Sequence, residues 1–218
     1  RDYAGAVSYA EQLLPRVADF INDSARDRGD RLMIDPLWSF RSFGDHGLQT
    51  HSTLLSSLAR SLETLAESRP NDLDRLLEPY AERPHDAVAY LVLRAWTAAP
   101  ELYAERLARY LSADPRRLKV GYASWGGNGG SAALHVSSRA VQTASSRCSP
   151  DSFSVLERTI TSLKDDWEDK HPEIRGAMQL TLLESLEKTR LSISGKARLE
   201  ELRRKFSQER HEPPVAMM

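Results

Sequence analysis

The sequence predicts an all-α protein, on three observations. Apolar residues recur at spacings of three and four along nearly the whole chain, the period that lines one face of a helix. Alternation of period two, the mark of a strand, never extends beyond a few residues. Prolines and cap-forming residues cut the apolar pattern into helix-length pieces joined by short connections.

The first stripe runs Tyr3, Ala6, Val7, Ala10, Leu13, Leu14, Val17 and Ile21, and Pro15 inside it is expected to kink or restart the helix. Residues 26–47 follow without periodicity. Thr50 or Ser52 then caps a helix whose face is Leu54, Leu55, Leu58, Leu62 and Leu65. After Pro70, Asn71 caps a short helix with Leu73, Leu76, Leu77 and Tyr80 inward. Residues 86–98 are apolar nearly all round, including Tyr90, Leu91, Val92, Leu93 and Trp96, which predicts the most buried helix of the set. Pro100 fits the first turn of the next helix, whose core face is Tyr103, Leu107, Tyr110 and Leu111. Beyond a glycine-rich stretch, Ser131 begins an alanine-rich helix. Pro150 and Asp151 open one with Phe153, Leu156, Ile160 and Leu163, and Pro172 opens one with Ile174, Met178, Leu182 and Leu186. The last helix carries Ala197, Leu199, Leu202 and Phe206.

Short connections make consecutive helices antiparallel neighbours. The pairs are 50–66 with 71–82, 86–98 with 101–112, 131–146 with 151–163, and 173–188 with 195–207. They start 36, 45 and 42 residues apart, near the ~40–47 of HEAT-type repeats. No residue-level consensus accompanies that spacing. The expected architecture is an irregular antiparallel helix-pair array, a HEAT-like α-solenoid, with a compact helical bundle as the alternative. It divides into an N-terminal helical subarray over 1–120, a Gly-rich connection over 121–131, a C-terminal subarray over 132–208 and a tail or linker over 209–218. Arg1 in place of Met and the tail HEPPVAMM read as an excerpt from a longer protein.

Composition narrows the function classes. Lys plus Arg number 30 against 31 Asp plus Glu, so no overall field draws nucleic acid or an anionic membrane. Cys148 is the only cysteine, which excludes an internal disulfide and a multi-cysteine zinc site and suits a reducing cytoplasm. No apolar run approaches the ~20 residues of a membrane span, and the first residues lack a signal-peptide layout.

Residues 122–131, YASWGGNGGS, are the segment most open to a chemical reading. A P-loop needs a lysine after its last glycine, but Ser131, Ala132 and Ala133 follow here. A dinucleotide fingerprint needs a preceding strand, and both flanks are helical. What remains is an inter-helix connection, or a helix start whose amides accept an anion. Trp125 and Asn128 on this loop, with Arg116 and Arg117 before it and Arg139 after it, form a candidate partner-binding patch for an acidic segment or a phosphate. None of the six histidines forms a metal-binding spacing, and no metal or cofactor is expected. Asp165, Asp166, Glu168 and Asp169 read as a solvated helix end, and Cys148 as a partly buried thiol. No activated-nucleophile motif is present, so no catalytic residue is assigned. Between Leu62 and Asp86 seven acids face three arginines, whereas from Lys188 to Arg210 eight bases face three acids. Arg203, Arg204 and Lys205 give the last helix a basic face. With Phe206 its only interleaved aromatic, nucleic-acid binding there is the weaker alternative.

YLSADPRRLKVGY at 110–122 and ARLEELRRKF at 197–206 resemble segments of the HEAT-like helical regions of large bacterial STAND-type ATPases, a class that includes antiviral defence sensors. The resemblance implies a separate NTPase module that hydrolyses or exchanges ATP, while this helical array is the sensing or scaffolding arm that recognises a trigger protein and controls oligomerisation through the parent protein. No Walker motif here matches that class, so no catalytic residue carries over. The expected function is a non-catalytic helical scaffold that recognises a protein partner. A small nucleotide- or phosphate-binding domain built on the glycine loop is the alternative.

Overall fold

A computed structural model describes residues 3–38, 50–120 and 135–208. The helices are α1 (Tyr3–Ser24), α2 (Thr50–Ser68), α3 (Pro70–Leu77), α4 (Asp86–Ala98), α5 (Pro100–Ala113), α6 (His135–Arg147), α7 (Pro150–Thr161), α8 (Asp166–Lys170), α9 (Ala177–Ser185) and α10 (Ile193–Gln208). Two 3-10 turns, Pro115–Lys119 and Lys188–Arg190, complete the set. No strand forms among the described residues; Arg26 with Ile34 and Met33 with His85 make isolated bridges. The all-α reading therefore holds.

The helices fall into two sets by what they touch. α1 packs on α2, α2 on α4, α4 on α6 and α6 on α9. Behind them α5 packs on α7 and α7 on α10, while α3 joins α5 through Asp74, which accepts hydrogen bonds from Tyr103 Oη (3.2 Å) and Arg106 (2.7 Å). α4 is buried on every side, as its composition predicts. At its C-terminal end Trp96 stacks on Tyr103, meets Tyr110 edge-on at 5.1 Å between centroids, and lies under the Arg106 guanidinium. One apolar core runs from Ala10 to Leu202. α5 and α6, which flank residues 121–134, pack directly on each other, and Ser137 Oγ donates to the carbonyls of Arg117 and Val120.

Carboxylates pass from α5 to the start of α7 and from α7 to the start of α10. Glu105 of α5 accepts from Ser149 N–H (2.8 Å) and Ser152 Oγ (2.6 Å) at the start of α7. Glu157 of α7 accepts from Ser192 N–H (3.0 Å) and Oγ (2.9 Å) at the start of α10. Helix starts have free amides and a partial positive charge, so an incoming carboxylate fixes both where the helix begins and which neighbour it meets. Gly195 follows from this contact, because a β-carbon there would overlap Oε1 of Glu157.

Several expectations need correction. α1 does not restart at Pro15, which lies inside the single helix Tyr3–Ser24. Burial of Ala10 and Leu14 before it and of Val17, Ala18 and Ile21 after it holds both halves against α2 and offsets the missing hydrogen bond. The helix expected from Pro172 begins instead at Ala177. Gly176 adopts φ +93°, a left-handed conformation that breaks the preceding turn, and a side chain there would press on Leu202. Asp165 and Glu168 are not on a solvated face: they are 3% and 4% exposed. The expected helix start at Ser131 lies outside the described residues.

Candidate functional site

Residues 26–34 form a small turn whose geometry is local in origin. Asp27 accepts the N–H of Gly29, which sits at φ +67°, and Arg26 and Ile34 exchange backbone hydrogen bonds. Met33 then bonds to Pro84 O and accepts from Asp86 N–H, pinning the turn to the start of α4. The tip delivers Asp30 and Arg31 to a buried ionic cluster. Lys119 Nζ lies 2.6 Å from Asp30 and 3.5 Å from Asp165, and Arg31 pairs with Asp165 at 2.7 Å. Asp30 also accepts from Asp166 N–H, and Asp165 caps α8 through the amides of Trp167 and Glu168. Burial pushes the Asp30 carboxyl up, but Lys119 and the Asp166 amide together hold it below its ordinary value. Burial raises Glu168 despite the Met178 and Gly176 amides that it accepts. Every charge in this cluster has a partner, so it ties the N-terminal turn to α8 and offers no open position to a ligand.

Most of the cations expected to act as partner-binding residues already have partners of their own. Arg116 folds back on Asp114. Arg117 is buried, stacks on the Tyr110 ring at 3.7 Å, donates to Tyr110 O and pairs with Glu82. Arg203 makes a two-pronged pair with Glu184, at 2.6 and 2.9 Å, and Lys205 donates to the carbonyls of Pro172 and Arg175. Arg204 is exposed on α10. Trp125 and Asn128 lie outside the described residues. Cys148 is buried, and burial raises its thiol above the ordinary range even though Arg190 pulls it down. His85 is buried with Nδ1 unpartnered.

Arg139 differs from the others. It lies on the outer face of α6 and lines a groove of about 500 Å³, closed on one side by the end of α9 and the turn after it and bounded by Pro100 at the start of α5. Lys188, also in the groove, spends its ammonium on the carbonyls of Leu183, Glu184 and Leu186. Arg147 pairs with Glu101 at 3.1 Å. Arg139 has no hydrogen bond or ion pair to any other described residue. Three comparisons, with protein-family models, with curated proteins and with solved structures, find no match. The remaining groove residues, Gln142, Thr143, Ser146, Arg147, Glu184 and Lys188 among them, carry no motif. They come together only when α6 packs on α9, so no sequence signal singles them out.

Proposed function

We propose that this chain is a non-catalytic helical scaffold or sensor segment that recognises a protein partner within a larger bacterial protein. The observation that carries this reading is the order of helix contacts. α2, α4, α6 and α9 lie side by side, backed by α3, α5, α7 and α10, the packing expected of a HEAT-like array in which each pair touches its neighbours. The carboxylates handed from α5 to α7 and from α7 to α10 support it, since they repeat one contact along the second row. The groove on α6 supports it too, because it opens across adjacent members of the first row. A place in a STAND-type NTPase of antiviral defence rests on the resemblance of 110–122 and 197–206, and action in the cytoplasm on the single cysteine, Cys148.

The test is nucleotide turnover and calorimetry on the isolated chain. The scaffold reading expects neither hydrolysis nor binding at millimolar ATP. Turnover or binding that disappears when Gly129 and Gly130 are replaced would put the nucleotide-binding alternative in its place.

A further inference from the structure

We infer that the groove beside Arg139 holds an acidic segment of the protein partner, with a carboxylate side chain paired to the Arg139 guanidinium. This rests on the partner-binding reading above. Arg139, Gln142 and Thr143 stand three and four residues apart, so they share one face of α6 and present a guanidinium, an amide and a hydroxyl together. All three donate hydrogen bonds, and the planar fork of Arg matches a carboxylate in two-pronged geometry.

The acids in the groove do not compete for Arg139. Glu184 is held by Arg203 and Lys188, and Glu187 accepts from the N–H and Oγ1 of Thr189. The Arg203 pair keeps the Glu184 carboxyl below its ordinary range, so it stays ionised and engaged. Among the described lining residues Arg139 is thus the cation left without a hydrogen bond or ion pair, while both acids are already hydrogen-bonded. At about 500 Å³ the groove falls within the ~300–1,000 Å³ of ordinary ligand clefts, enough for a few residues of an extended segment. Among the described residues no aromatic side chain lines it, so stacked bases find no platform there.

The experiment is fluorescence anisotropy on the whole chain with a labelled octaglutamate peptide, at low and at physiological salt. The same measurement is made on Arg139→Glu, Arg139→Gln and Arg158→Glu; Arg158 is an exposed arginine on α7, whose replacement changes net charge equally. Binding by the native chain is expected, weakened at least tenfold by either change at Arg139 and less than twofold by Arg158→Glu. Equal losses at both arginines, or no binding at millimolar peptide, would overturn the assignment. Tighter, Arg139-dependent binding of a single-stranded 20-mer DNA, or full competition by inorganic phosphate at equal concentration, would overturn it in favour of a phosphate ligand. Because the scaffold reading is judged on nucleotide turnover and binding, the groove can fail here while that reading stands.

Discussion

Gly195 offers a sharp test of the contact between α7 and α10. Replacing a helical glycine by alanine ordinarily stabilises a protein by about 0.5–1 kcal/mol, through lost freedom of the unfolded chain. Here the new methyl would occupy the place of Glu157 Oε1 and lie 2.9 Å from its Cδ. The carboxylate would have to retreat, leaving Ser192 N–H without its acceptor and the buried charge with fewer donors. Breaking such a buried, charged contact costs roughly 2–4 kcal/mol, so Gly195→Ala is expected to destabilise the chain by about 1–3 kcal/mol net. For a protein of this size that corresponds to a fall in Tm of roughly 3–10 °C. In a Glu157→Ala background the methyl has room, and the same substitution is expected to become stabilising by about 0.5–1 kcal/mol. Urea and thermal melts of the four proteins form a double-mutant cycle. A neutral or stabilising Gly195→Ala in the otherwise native chain, or an equal effect in both backgrounds, would refute the reasoning.

Two further stability predictions concern buried ionisable groups. Lys119→Met removes the cation between Asp30 and Asp165 and is expected to cost about 3–5 kcal/mol, read from the urea midpoint; a loss below ~1 kcal/mol would show that the cluster does not tie the N-terminal turn to α8. His85 has its pKa lowered by burial first and by Arg83 second, against an opposing pull from Asp35. Its folded pKa thus lies below the unfolded value, and the unfolded chain takes up the proton first as pH falls. The stability it contributes is complete above the ordinary histidine range, near pH 6.5, and is lost as pH drops through that range toward the folded pKa. The native chain should lose more stability between pH 7.5 and 5.5 than His85→Gln; identical losses would remove His85 from the effect.

Fold class and helix order are legible in the sequence because burial enforces them at a regular period. Trp96 and its neighbours announce α4 as central, since a helix apolar on every side has no face to give to water. Pro15 misleads because a local rule is outweighed by packing against α2. The acids at 165–169 mislead for the opposite reason. Their composition is that of a solvated surface, and only the arrival of Lys119 and Arg31 from 46 and 134 residues away makes burial of Asp165 affordable. The candidate site is half legible. Arg139 is singled out by its place after the glycine stretch, whereas Arg116 and Arg117 share that neighbourhood but are spent on Asp114, Tyr110 and Glu82. Sequence proximity marks which cations are near one another and does not show which have already found a partner.

The most direct test is site-specific photocrosslinking in cells that express the chain, with a benzophenone side chain at Thr143 in the groove and, separately, at Arg158 on the opposite row. A partner-binding array with its contact on α6 predicts a protein adduct at Thr143 alone, the crosslinked peptide being rich in Asp and Glu. Adducts of equal yield at both positions, or a Thr143 peptide that is neutral or basic, would contradict it.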